Sequence, residues 1–142
     1  MAAGAHQSDV MREEDRQALM ARAAAARARA YAPYSKYHVG AALLARSGAV
    51  YDGANVENAV YPAGICAERA ALVRAVSEGE RQFEAIAVAT PNGGSPCGLC
   101  RQMLSEFGLD LVVMMVDGDC RLVHETSLRE LLPRAFGPSD LL

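Results

Sequence analysis

Cys66-Ala67-Glu68 and, further along, Ser95-Pro96-Cys97-Gly98-Leu99-Cys100 are the stretches on which this chain turns. Each opens a predicted helix. Together they bring three thiols and one carboxyl to two helix starts. Unpaired backbone N–H groups at a helix start favour anions, so they lower thiol pKa values and help form the thiolates that bind metal. Cys97 and Cys100 stand three apart, on one side of their helix. Three thiolates are one ligand short of a closed tetrahedral zinc site. Catalytic zinc keeps that fourth position for water. Glu68, two residues after Cys66, is placed to serve that water without ligating the metal.

Outward from these stretches the chain reads as alternating elements. Ser8 or Asp9 caps a predicted Ala-rich helix that runs to about Ala32, where Pro33 stops it. Leu19, Ala23, Ala26 and Ala30 form its apolar face. Residues 39–45 and 50–55 read as strands joined at Ser47-Gly48. Asn55 to Gly64 is irregular, and a helix follows from near Cys66 to Gly79, a glycine suited to end it. Residues 84–90 form a strand, and Pro91-Asn92-Gly93-Gly94 a loop. Ser95 then caps a helix with Pro96 at its first position, ending near Gly108. Residues 111–116 are almost wholly apolar, as expected of a strand covered on both faces. Residues 120–124 form a short strand. Ser127-x-x-Glu130 is a capping box for a last helix, which Pro133 ends. The order predicts an α/β fold: a three-layer α/β/α sandwich with a five-stranded mixed sheet. Residues 1–142 are read as a single domain, with 1–7 a disordered tail.

Bulk properties narrow the function. The chain has 142 residues, of which 51% are hydrophobic, enough for a core and too many for wholesale disorder. No apolar run approaches the roughly 20 residues of a membrane span, and Ser8 to Arg22 is charged where a signal peptide would be apolar. The expected location is the cytoplasm, with no membrane partner. Net charge is -3. Polynucleotide binders usually show a basic stripe. The Arg22, Arg27, Arg29 stretch reads instead as the solvated face of a helix. A small neutral molecule fits better than nucleic acid.

The thiols admit other readings. Cys97 and Cys100 alone could form a redox pair, and a lone cysteine is usually a small buried hydrophobe. Cys66 with Glu68 argues against redox. Cys120, beside a hairpin turn, separates the two zinc readings, because a closed four-thiolate site would need it. Arg69 is read as offsetting the net negative charge of three thiolates on Zn²⁺.

The chain resembles the small homotetrameric cytidine deaminases of the three-Cys zinc type. The resemblance rests on Tyr34-Ser35-Lys36-Tyr37-His38-Val39-Gly40-Ala41-Ala42, Asn55-Val56-Glu57-Asn58-Ala59, Cys66-Ala67-Glu68-Arg69, residues 95–102 and Leu131-Leu132-Pro133. It implies one Zn²⁺ per subunit on Cys66, Cys97 and Cys100, with Glu68 as the catalytic proton shuttle. It further implies that Asn55 and Glu57 bind the ribose, that Tyr37 packs on the base, and that Tyr61 and Ala67 line the pocket. Phe136 would enter a neighbouring subunit's site, giving a homotetramer with shared active sites. The implied reaction is hydrolytic deamination of free cytidine and 2′-deoxycytidine, a step of pyrimidine salvage. Three alternatives remain at this point. One is a deaminase of another aminopyrimidine, such as a blasticidin-type antibiotic or a polynucleotide cytosine. Another, from a different class, is a thiol-redox protein using Cys97 and Cys100, and the third is a non-catalytic zinc module. Tyr37 departs from the commoner Phe, His38 from a less polar residue and Leu99 from a smaller Ala.

Overall fold

A computed structural model describes residues 11–142. The tail expected over 1–7 and the Ser8 or Asp9 cap lie outside the described residues.

Among the described residues the first helix, α1, spans Glu13–Ala26 and continues as one 3-10 turn over Arg27–Arg29. It is shorter than the sequence predicts. Ala30 is already extended, with φ -64 and ψ 140. Tyr31 N–H donates to Asn55 O at 2.9 Å, and Glu57 N–H donates to Tyr31 O at 2.8 Å. Residues 30–32 thus exchange helical bonds for a bridge to the chain after the second strand, a tertiary competition that propensity does not register.

Five strands follow: β1 (Gly40–Ala45), β2 (Val50–Ala54), β3 (Phe83–Ala89), β4 (Val112–Val116) and β5 (Leu122–Ser127). Their order in the sheet is β2-β1-β3-β4-β5. Only the β3–β4 pair is parallel. Such a pair needs a crossover connection, and α3 (Gly98–Ser105) supplies it. Among the described residues the other α-helices are α2 (Ala67–Ser77) and α4 (Leu128–Leu131). β5 starts and ends later than predicted. Cys120 sits in the preceding turn with φ 61, and the β4 ladder carries the strand on to Ser127.

Alternation along the strands sorts the core into two layers. Ala42, Ala85, Ala87, Ala89, Met114 and Val116 pack with α1. Leu43, Ile86, Val88, Val113 and Met115 pack on the other face with α2, Leu104 and Leu128. The architecture is therefore the expected three-layer α/β/α sandwich. Two glycines let the helices come close. A Cβ at Gly40 would lie 2.1 Å from Ala23 O of α1, and one at Gly53 would lie 2.6 Å from Ala71 N of α2.

The register places the site. Ala54 and Ala89 both pair with Gly40, so β2 and β3 finish at the same edge of the sheet. The helices that follow them, α2 and α3, therefore begin side by side. Open α/β sheets place ligands outside these strand ends.

The Arg stretch is not a merely solvated face. Arg22 Nε and Arg29 NH2 contact the Asp52 carboxylate at 2.7 and 3.2 Å, and Arg74 of α2 joins them at 3.0 Å. Asp52, buried on edge strand β2, thereby ties both helical layers together. Arg27 Nε instead donates to His38 O at 2.8 Å.

Candidate active site

Cys66 is the N-cap of α2 and Cys97 the N-cap of α3, with Cys100 one turn further in. The α3 start differs slightly from prediction. The helix begins at Gly98, Pro96 precedes the cap, and Ser95 does not cap it. Ser95 Oγ accepts from Arg101 instead. Cys66 and Cys97 both still sit at helix N-termini, although neither thiol accepts a capping hydrogen bond.

The three Sγ atoms lie within 4.8 Å of one another. Cys66 to Cys97 is 3.7 Å and Cys97 to Cys100 is 3.4 Å. Tetrahedral zinc with Zn–S bonds of about 2.3 Å requires an S···S edge of about 3.8 Å. The donor set therefore fits a thiolate-bound zinc with little adjustment. Arg69 adds to the fit: NH2 stands 3.8 Å from Cys66 Sγ, while its buried Nε has no partner. A guanidinium held against the thiols offsets the charge that three thiolates carry. Cys120 is not part of the cluster.

Protons are unevenly shared between these thiols. A hydrogen bond from Cys100 draws the Cys66 pKa down to about 5, against burial and with help from Arg69. The same hydrogen bond, together with burial, pushes Cys100 up. Glu68 lies in the first turn of α2 and is 4% exposed. Burial pushes its carboxyl up to about 7, the Cys66 charge adds to this, and Arg69 opposes it. A carboxyl poised near neutrality both accepts and returns a proton readily.

Above this cluster opens a cleft of about 760 Å³, whose lining includes Tyr37, Asn55, Glu57, Tyr61, Ala67 and Glu68. Asn55 and Glu57 have a task that the sequence did not reveal. Asn55 Oδ1 accepts from Val39 N–H at 2.9 Å, and Nδ2 donates to Tyr37 O at 2.8 Å. Glu57 Oε1 accepts from Tyr34 N–H at 2.9 Å and Ser35 N–H at 3.1 Å, and Oε2 from the Ser35 hydroxyl. Burial opposes, but these bonds hold the Glu57 pKa below its ordinary value, the Ser35 hydroxyl contributing most. The pair thus clamps the loop 34–39, in which Lys36 adopts φ 61.

Tyr61 is 75% exposed at the rim, its ring centroid 6.0 Å from that of Tyr34. Ala67 is fully buried at the start of α2. Phe136 does not line the cleft. It is 58% exposed, and its carbonyl accepts from Gln102 Nε2 of α3 at 2.9 Å. Sequence reasoning missed Arg101. Its Nε, NH1 and NH2 donate to Pro96 O, Leu131 O and Ser95 Oγ at 2.8, 2.7 and 2.7 Å. The signal was present: an arginine directly after a candidate ligand, at a helix start, has the donors to brace the loop before it.

A model of the cytidine and deoxycytidylate deaminase zinc-binding region matches residues 13–116, which include all three clustered cysteines and Glu68. The chain belongs to this deaminase family. It is 46% identical over 132 residues to a cytidine deaminase of Sporosarcina psychrophila, covering 89% of this chain and 95% of the relative. A cytidine deaminase of Halalkalibacterium halodurans is 47% identical, with 89% and 98% covered. The crystal structure of a Burkholderia pseudomallei cytidine deaminase superposes with a TM-score of 0.81 at 44% identity, covering 89% of this chain and all of that one. Family membership disfavours the redox reading of Cys97 and Cys100.

Proposed function

We propose that the chain is a zinc-dependent cytidine deaminase, converting free cytidine and 2′-deoxycytidine to uridine and 2′-deoxyuridine with release of ammonia in pyrimidine salvage. The observation that carries this is the triangle of Cys66, Cys97 and Cys100 Sγ atoms with buried Glu68 beside it, in the cleft. The similarity to named cytidine deaminases supports the substrate. Cys66, Cys97 and Cys100 would hold one Zn²⁺ per subunit, and when bound it supplies the Lewis acidity that makes water nucleophilic near neutral pH.

The chain's own residues do the rest. Glu68 accepts a proton from water and delivers it to ring N3, which leaves C4 electrophilic. A C4–O bond forms there. Glu68 then moves the proton of the new C4 hydroxyl to the exocyclic amine, the C4–N bond breaks as the C4–O bond becomes a carbonyl, and ammonia departs. The buried position of Glu68 keeps bulk water from competing for these protons. Tyr37 packs on the base, with Tyr61 and Ala67 shaping the pocket. Asn55 Nδ2 has a second N–H and the Glu57 carboxylate has further lone pairs, and these take the ribose hydroxyls. Arg69 balances the thiolate charge.

The whole chain, 1–142, acts as one deaminase domain. Phe136, tethered beside α3 yet outside its own cleft, completes a neighbour's site in a homotetramer. All four cysteines are unpaired, which suits a cytoplasmic enzyme. Among the described residues no helix is long and apolar enough to cross a membrane.

The decisive experiment follows cytidine absorbance with zinc-loaded Glu68→Gln. The variant should keep its metal and fold and lose about 10²–10⁴-fold in kcat. Near wild-type turnover would remove Glu68 from the reaction.

A further inference from the structure

Asn92 lies in the loop between β3 and α3, and no role has been assigned to it. Its side-chain oxygen accepts two hydroxyl donors: Tyr37 Oη at 2.6 Å and Thr90 Oγ1 at 3.2 Å. Thr90 Oγ1 in turn accepts from Gly94 N–H at 2.7 Å. Tyr37 belongs to the loop 34–39, and Gly94 lies on the way to Cys97. Two loops that approach the cleft from different strands are therefore joined through one amide oxygen. Thr90, Tyr37 and Ser95 all line that cleft. The hydroxyl that makes this possible is the feature in which Tyr37 departs from the commoner Phe.

We propose that Asn92 is a positioning residue. Through the Tyr37 hydroxyl it fixes the ring against which the substrate base packs, and it holds that ring in register with the loop leading to Cys97. The proposal rests on the deamination reading. Asn92 itself touches no reacting atom. A tyrosine that is 39% exposed has rotamer freedom, and without the clasp each binding event must order the ring anew.

Gly94 makes the idea testable from a second side. A Cβ there would stand 2.8 Å from Tyr37 Oη, but 3.6 Å from Asn92 Oδ1 and 3.7 Å from Thr90 Oγ1. Gly94→Ala would thus push the hydroxyl off Asn92 while meeting nothing else closely. Once Tyr37 is phenylalanine, the obstructing atom is gone.

The test uses zinc-loaded wild type, Tyr37→Phe, Asn92→Ala, Gly94→Ala and the Tyr37→Phe/Gly94→Ala double variant. Each single change should raise KM for cytidine roughly five-fold, the size expected for losing one hydrogen bond, with kcat within two-fold. The double variant should be no worse than Tyr37→Phe alone. Amide exchange at Gly94 should quicken in Tyr37→Phe and Asn92→Ala. Unchanged KM in Tyr37→Phe, effects that multiply in the double variant, or unaltered Gly94 exchange would each overturn the clasp. If wild type fails to deaminate cytidine, the functional reading falls, and the Gly94 exchange rates still decide the clasp.

Discussion

Replacing Gly53 by alanine asks how far the chemistry depends on a contact outside the cleft. Gly53 sits on β2 beneath α2, the helix that carries Glu68 and is capped by Cys66. The added Cβ would lie 2.6 Å from Ala71 N, 2.9 Å from Ala67 O and 3.0 Å from Ala70 Cβ. The first two are backbone atoms and cannot swing aside. Ordinary contact begins at 3.4 Å, so helix and strand must separate by about 0.8 Å. β2 cannot simply recede, because β1 holds it along the ladder and Arg22 and Arg29 hold Asp52 next door. Moving α2 also pulls Arg74 from Asp52. Overpacking of this kind costs about 1–3 kcal/mol, which corresponds to a melting temperature lower by roughly 4–10 °C. Displacement of a catalytic group by about 1 Å can cost on the order of 10²-fold in rate. The assay is kcat for cytidine together with a thermal melt and metal content. We expect kcat to fall by roughly 10- to 100-fold with zinc retained. Wild-type kcat and melting temperature in Gly53→Ala would show that the gap between helix and sheet is elastic, and the argument would fail.

Arg101→Ala should weaken zinc binding by about 10- to 100-fold in a chelator competition, because it frees the loop before Cys97 from three hydrogen bonds; unchanged affinity would reduce Arg101 to a surface residue. Burial raises the Asp52 pKa, but hydrogen bonds from Arg22 and Arg29, with their charges, bring it below its ordinary value. Its stabilisation is therefore complete above the unfolded carboxylate pKa of about 3.9 and is lost as pH falls through the lower folded value. Asp52→Asn should cost about 1–2 kcal/mol at pH 7, and thermal melts should show the gap from wild type closing only below about pH 4. Phe136→Ala should raise KM for cytidine without loss of zinc, and light scattering of wild type should give four subunits; a fully active monomer would refute the shared site.

Strong local signals were read correctly from the chain. The helix-start cysteines, the 39–45 and 50–55 hairpin and the two-sided apolar run at 111–116 each follow from patterns within a few residues. What escaped was settled between distant segments. The end of α1 depends on Tyr31 meeting Asn55 and Glu57. The Arg22 and Arg29 side chains were read as solvated because their partner, Asp52, lies on another element. Asn55 and Glu57 were expected to bind a ribose, and nothing near them in sequence shows that they also clamp residues 34–39. Asn92 read as turn chemistry, because its partner Tyr37 comes from a different loop.

The alanines that fill the α1 face of the sheet make the two core layers answer substitution in opposite ways. Ala23, Ala42, Ala85, Ala87 and Ala89 have few atoms to lose, so truncation there removes little. Any enlargement wedges α1 away from a sheet it nearly touches at Gly40. Leu43, Leu72, Ile86 and Leu104 on the opposite face have methyl groups to lose, and their shortening leaves voids. A scan of larger side chains would thus map the first layer as a sharp boundary. An alanine scan would be blind at these five positions, and would register that layer only where Leu19, Met20, Met114 and Val116 fill it.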